Sequence, residues 1–289
     1  MMEITPAASV RTAVTVCLVA EARRGPFVFH TSEMPGGLAA ACRAGSDAGF
    51  AAIELFPADG AAAFPTSELR ALLPSHGLAL AAVGTGGGWV QHGFHLCHPD
   101  SAERARAREF IAGIIDSAGE FGAPAIIGSM QGRTSPAVPR AAALDLLADA
   151  LDELGRRAAR HAQPLLYEPL NRYETDLFNQ QVVAAEWLDS RGLAHVRLLC
   201  DLFHMSIEEA DLAATLTAVG DRLGHVHWAD SNRQAIGFGH TAVEPVVAAL
   251  GRIGYAGYLS AEVFPLPTAA AAARQTITSL GRQPEQASS

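Results

Sequence analysis

The sequence predicts an α/β protein whose parallel strands close into a (β/α)8 TIM barrel. Eight short, almost continuously apolar runs recur along the chain, as strands buried on both faces by flanking helices require. Longer segments rich in Ala, Leu, Arg and Glu, with helix-forming composition, separate them. No Gly-rich phosphate fingerprint follows the first run, which removes the main support for a doubly wound open sheet.

The strands are expected at Ala13–Ala20, Ala51–Phe56, Leu78–Gly84, Ala125–Gly128, Pro164–Glu168, Val196–Asp201, Gly224–Ala229 and Tyr258–Val263. Ser101–Phe121 and Val138–His161 are the clearest helices. The apolar run near the N-terminus is too short to span a bilayer, follows an acidic residue and precedes no clear cleavage site; it is expected to be the first buried strand. The terminal GRQPEQASS is polar and expected to fray. At 289 residues with no linker-like shift in composition, one barrel domain over 1–289 is expected, its core at about 12–281 and its polar tail at 282–289.

Hydrophobic residues make up 49% of the chain and charged residues 18%, a balance that favours a compact soluble protein over a disordered one. With a net charge of -9 the chain lacks the basic face that nucleic acid requires. Neither a nucleic acid nor a membrane is an expected partner. Cys17, Cys42, Cys97 and Cys200 contain no CxxC pair and read as reduced thiols of a cytoplasmic protein.

The later strands each end on a residue able to bind a metal. Glu168 ends the fifth run in LLYEPLNRYE, Asp201 the sixth in RLLCDLFHM, His227 stands near the end of the seventh in HVHWADSNR, and Glu262 near that of the eighth in YLSAEVF. In a parallel barrel these ends converge on the face where active sites form. A single carboxylate there is more often a helix cap or a loop hydrogen-bonder. Four such residues in succession are harder to dismiss, because carboxylates buried together repel unless a cation joins them. Three carboxylates and an imidazole suit Mn²⁺, Mg²⁺ or Co²⁺, whereas a structural zinc site would want thiolates. Of His225 and His227 only one is expected to point inward, and continuous burial leaves open which.

The segments EPLNRYE, DLFHMSIEEAD, HVHWADSNR and SAEV resemble the ketose 3-epimerase group of the xylose-isomerase-like TIM barrels, which holds the D-tagatose and D-psicose 3-epimerases. The likeness extends to AAIELF, AVGTGGGW, HPD and AIIGSMQGR. Within the group, GTG, HPD, EPLNRYETD, HVHWADSNR and the PLP after Glu262 look most similar to 5-keto-L-gluconate epimerase-type proteins. The resemblance implies one divalent cation, Mn²⁺ foremost, on Glu168, Asp201, His227 and Glu262. It selects His227 over His225 through the motif GHxH, leaving His225 as a packed histidine. It also implies substrate contacts at Glu174, His204 and Arg233 and a homo-oligomer, dimer or tetramer.

Epimerisation beside a ketone needs one group to remove a proton and another to return one on the opposite face. Glu168 and Glu262 are the expected pair, with the cation stabilising the enediolate. His204 would donate to the carbonyl oxygen, Arg233 offers a planar fork of donors, and Glu174 would fix a hydroxyl. Read alone, Arg233 suits a loop salt bridge and His204 a contact at a helix start. Glu54, Trp89, His98 and Arg133 form a second group able to reach the same face, Arg133 as a counter-charge for a sugar acid. The alternatives are an aldose–ketose or hydroxypyruvate-type isomerase, a zinc nuclease that the acidic balance disfavours, and a sugar-binding protein without catalysis.

Overall fold

The computed structural model of the chain describes residues 11–281. The first ten positions and residues 282–289 of the tail expected to fray lie outside the described residues. The strands are β1 (Arg11–Cys17), β2 (Phe29–His30), β3 (Ala52–Phe56), β4 (Ala79–Gly84), β5 (Ala125–Ile127), β6 (Leu165–Tyr167), β7 (Val196–Asp201), β8 (Leu223–His227) and β9 (Tyr258–Ala261). The helices are α1 (Gly37–Asp47), α2 (Thr66–Ser75), α3 (Gly87–His92), α4 (Ser101–Gly119), α5 (Arg140–Ala159), α6 (Gln181–Ser190), α7 (Leu202–Glu208), α8 (Leu212–Val219), α9 (Val243–Arg252) and α10 (Ala269–Ser279).

Every strand pairs in parallel with its neighbours, and a β1–β9 pairing closes β1 and β3–β9 into the expected eight-stranded barrel. The short β2 pairs with β1 at Val16 and Cys17, beyond Val14, where the pairing with β9 ends. Helices cover the outside by periodic burial. On α4 the buried positions are Ala107, Phe110, Ile111, Ile114, Ile115 and Ala118, a three-to-four-residue rhythm that faces the sheet. Asp100 starts that helix, its carboxylate accepting from Ala102 N at 2.7 Å.

Side chains two apart on a strand share a face, so the register decides what fills the barrel. Ala13, Ala52, Ala81 and Tyr258 form one small cluster, and Ala82, Ile126, Leu166 and Leu199 another. Two residues on from Ala52, Leu166 and Leu199 come Glu54, Glu168 and Asp201. The barrel interior is thus packed with apolar groups and closed at the strands' C-terminal ends by a charged layer.

The differences from the sequence reading have local causes. The first strand stops at Cys17 because Ala20–Ala22 winds into a 3-10 turn. The seventh and eighth barrel strands stop at His227 and Ala261, short of Ala229 and Val263, although Trp228, Ala229 and Val263 remain buried. The two-residue β2 and α3, which opens on a glycine pair, are too short for any periodic signal. All four cysteines are buried and free, and burial pushes the Cys17 and Cys97 thiols up to about 12. Among the described residues no helix is long and apolar enough to cross a membrane.

Candidate active site

Glu168, Asp201, His227 and Glu262 meet at one place, with one ligand atom from each lying within 4.8 Å of the others. His227 Nδ1 lies 3.5 Å from Glu168 Oε1, 3.5 Å from Asp201 Oδ2 and 3.4 Å from Glu262 Oε2. Glu168 Oε1, Asp201 Oδ2 and His227 Nδ1 are buried without a hydrogen-bond partner. Buried polar atoms left unpaired are costly, and carboxylates this close repel. The donors therefore fit a divalent cation of the hard or borderline kind.

Each ligand candidate is held from behind. Gln131 Nε2 donates to the Glu168 carbonyl at 2.9 Å and to that of Gly128 at 3.0 Å, while Tyr167 Oη donates to Gln131 Oε1 at 2.7 Å. Burial pushes the Glu168 carboxyl up to about 7, against the pull of His227. Asp201 has two tasks: Oδ1 accepts from Phe203 N at 2.7 Å and caps α7, while Oδ2 faces the cluster. The helix-cap reading and the ligand reading of this residue thus describe its two different oxygens. Burial raises the Asp201 carboxyl, but His204, Arg233 and His227 outweigh it and hold the group well below the carboxylate range.

The two histidines of β8 correct the sequence reading, since both point inward, as residues two apart on one strand must. His225 Nε2 lies 2.8 Å from Glu54 Oε2, and His227 Nε2 lies 3.0 Å from Glu54 Oε1. Burial raises the Glu54 carboxyl, but His227 and His225 overcome this and keep it ionised far below its ordinary range. Burial likewise opposes charge on His227, yet Glu54 and Glu262, with Asp201 and Glu168, hold its imidazolium form well above the histidine range in the metal-free site. Glu54, 4% exposed, touches the inner pocket with both oxygens already engaged by imidazoles.

The expected substrate-facing residues line the same space. Asn171 N and Nδ2 approach His204 Nδ1 at 3.2 and 2.8 Å, so Nδ1 is the acceptor and the proton resides on Nε2. That Nε2 is buried, unpaired, and 3.8 Å from Glu168 Oε1. Burial drives His204 down to about 3, so the ring is neutral. Asn171 Nδ2 also donates to Glu174 Oε1 at 3.1 Å. Arg233 Nη2 donates to Glu262 Oε2 at 2.7 Å, and Arg233 Nη1 lies 3.6 Å from Glu174 Oε1. Its backbone is left-handed, with φ 58°, a strained state for a side-chain-bearing residue and one that functional sites often hold. The guanidinium rests over Phe203 with Cζ 4.9 Å from the ring centroid.

Two neighbouring compartments, which share Ser129, Leu170 and Glu174 in their linings, lead to these groups. The inner one, about 60 Å³, is lined by Glu168, His227, Arg233 and Glu262 and by Gly84, Gly86 and Gly128. A Cβ on Gly128 would fall 2.5 Å from Glu168 Oε2, so only glycine leaves that oxygen its place. The outer one, about 240 Å³, lies among Trp89, Arg133, Tyr173 and Glu174. Arg133 Nη2 donates to the Glu174 carbonyl at 2.7 Å, and Trp89 and Tyr173 are 43% and 76% exposed. His98 stands apart from both linings; its Nδ1 accepts from Asp100 N at 3.1 Å and supports the start of α4. Asn171, Gln131 and Tyr173 were missed in sequence although they flank or lie within the EPLNRYE and AIIGSMQGR motifs, since amides and an exposed tyrosine carry no signal of their own.

Fold and site define a class. The model of the xylose isomerase-like TIM barrel family matches residues 42–280, and the chain belongs to that family. It is similar to the D-psicose 3-epimerase of Enterocloster bolteae, 38% identical over 114 residues covering 39% of this chain and 38% of that protein. It is similar also to the 3-dehydro-D-guloside 4-epimerase of Escherichia coli, 36% identical over 114 residues covering 39% of this chain and 44% of that protein. Each match thus spans less than half of the relative's length. Among solved structures, a D-allulose 3-epimerase from a Methylomonas species superposes with a TM-score of 0.76 at 22% identity, covering 96% of this chain and 98% of the other, which establishes the shared fold.

Proposed function

We propose that this protein is a divalent-metal-dependent epimerase that inverts the carbon beside the carbonyl of a ketose or keto-sugar acid, at carbon 3. The observation that carries this reading is the convergence of three unpaired buried donor atoms, from Glu168, Asp201 and His227, with Glu262 at the end of a barrel. The named relatives support the reaction class, because psicose 3-epimerisation and dehydroguloside 4-epimerisation both move a proton next to a ketone.

Glu168, Asp201, His227 and Glu262 would hold the ion, with Mn²⁺ the ion of choice and Mg²⁺ or Co²⁺ suited to the same donors. When bound it supplies Lewis acidity toward the sugar's carbonyl and neighbouring hydroxyl oxygens. Glu168 and Glu262 stand at the ends of β6 and β9, on either side of Asp201 and His227. One carboxylate takes the proton from carbon 3. The C–H electron pair forms a carbon–carbon double bond, and charge passes to the carbonyl oxygen. The other glutamate returns a proton to the opposite face of that carbon. His204 directs its Nε2 proton toward the developing oxyanion. Arg233 and Glu174 orient hydroxyls, and Arg233 keeps Glu262 in place.

The test is incubation of Mn²⁺-loaded protein in D₂O with D-tagatose, D-fructose, D-psicose, 5-keto-L-gluconate and D-tagaturonate. Deuterium at carbon 3 together with the new epimer is expected for at least one of them. Binding across the panel without exchange would make the protein a sugar binder, and an aldose product would make it an isomerase.

Arg133 bears on the substrate class. It lines the outer compartment, where the tail of a sugar would extend, and its guanidinium can pair with a carboxylate. Arg133→Ala is expected to raise KM for uronates roughly 10- to 100-fold, the loss of a charge-assisted hydrogen bond worth about 1.5–3 kcal/mol, and to leave neutral ketoses within about twofold. Equal effects on both would remove Arg133 from acid recognition.

A further inference from the structure

Beneath the four strand-end donors lies a second set of polar groups that the proposed chemistry does not use. Glu54 on β3 reaches across the barrel interior to β8, three strands away around the ring. Its two oxygens are divided between two rings, Oε2 to His225 Nε2 at 2.8 Å and Oε1 to His227 Nε2 at 3.0 Å. The three residues are buried, and the two rings are nearly perpendicular, at 85° with centroids 5.7 Å apart.

We propose that Glu54 and His225 form a positioning relay that fixes the tautomer and ring plane of His227, and so determines how tightly the site holds its cation. The inference rests on the metal-site reading above. An imidazole presents a lone pair on one nitrogen only when the other carries the proton. Glu54 Oε1 accepts from Nε2, so in the neutral ring that a cation requires the lone pair falls on Nδ1, the nitrogen that faces Glu168, Asp201 and Glu262 at 3.4 to 3.5 Å. A carboxylate held at one oxygen can still swing about its terminal torsion. His225 removes that freedom by occupying the other oxygen, which would otherwise be a buried acceptor without a donor. His225 therefore acts through Glu54, and Glu54 through His227. A third use of the same atoms, a second ion on Glu54, His225 and His227, is geometrically open. The separations of 2.8 and 3.0 Å are those of direct hydrogen bonds, and they favour the relay.

Titration of Mn²⁺ into metal-stripped native protein, Glu54→Gln, His225→Gln and His225→Leu, followed calorimetrically, tests this. Native protein is expected to bind one ion per chain. Glu54→Gln, whose amide nitrogen cannot accept from both rings, is expected to bind it roughly 10- to 100-fold more weakly at unchanged stoichiometry. His225→Leu is expected to weaken binding roughly tenfold, and His225→Gln, which can still donate to Glu54, to recover most of it. Nitrogen-15 shifts of His227 in the Mg²⁺-loaded protein should report the Nε2–H tautomer in native protein and a mixture in Glu54→Gln. Affinity within about twofold of native in Glu54→Gln, with an unchanged tautomer, would overturn the relay alone. Two ions in native protein falling to one in the variants would replace it by a second metal site. Native protein that bound no Mn²⁺ would overturn the metal-site reading and the relay with it. Circular dichroism of each stripped variant separates these outcomes from misfolding.

Discussion

Glu168→Gln and Glu262→Gln are each expected to lower the rate of epimer formation by roughly 10²–10⁴-fold, the usual contribution of a positioned acid or base. The amide keeps the volume and one oxygen of the side chain but can neither take nor return a proton. On the proposed scheme the two glutamates serve opposite faces, so either change removes one half of the inversion. Hydrogen exchange with solvent then survives at most for the one epimer whose proton faces the remaining carboxylate. Chiral analysis of products formed in D₂O, with metal content checked in the same samples, makes the measurement. Inversion at the native rate in either metal-loaded variant would rule out the two-base scheme.

The second large effect is expected at Asp230, which carries no chemistry. It is fully buried in the segment after β8, and its carboxylate accepts from the backbone N–H of Ser231 at 2.7 Å, Gly237 at 2.7 Å, Gly239 at 2.8 Å and Thr241 at 3.0 Å. Burial opposes its charge, but the donors, with Thr241 foremost, outweigh that and hold the carboxyl at about 2. Asp230→Ala would take this acceptor from the amides of Gly237, Gly239 and Thr241, while Ser231 N–H keeps Thr241 Oγ1 at 3.1 Å, and is expected to cost on the order of 3–5 kcal/mol. Arg233 N–H donates to the backbone carbonyl of residue 230 at 2.8 Å, a bond that the substitution keeps, so the loss is expected in stability.

The sign of the pH dependence follows from the direction of the shift. A carboxyl depressed in the folded state from 3.8 to about 2 contributes stability that is complete above its unfolded value and is lost as pH falls through the folded one. A shift of that size corresponds to about 2–3 kcal/mol. Thermal unfolding of native protein and Asp230→Asn should therefore differ most near pH 7 and converge between about pH 4 and 2. A difference that stayed constant down to pH 2.5 would show that the carboxylate's charge plays no part.

Much of the barrel was legible because its strands are buried on both faces and therefore read as apolar runs. The strand-end site was legible for the same reason: Glu168, Asp201, His227 and Glu262 each interrupt or follow such a run. The environment of Glu54 was not, since its partner His225 is 171 residues away and nothing local announces a pairing across a barrel. The placement of His225 was misjudged by a rule of parity, as alternation sends neighbours apart and next-neighbours together. Asp201 was ambiguous between cap and ligand because each use needs only one oxygen. His98, legible as part of a motif, serves the helix start instead of the pocket.

The glycines that bound the inner compartment give the ring of strands an asymmetry. From β6 round to β9 it supplies charge; at β4 and β5 it supplies backbone without side chains, since a methyl group on Gly84 or Gly86 would come within 2.8 Å of the Phe56 ring, and one on Gly128 would press on Glu168. Charge and close packing thus lie on separate arcs of the barrel, and a substitution at Gly84, Gly86 or Gly128 would act on the site by displacing Phe56 or Glu168.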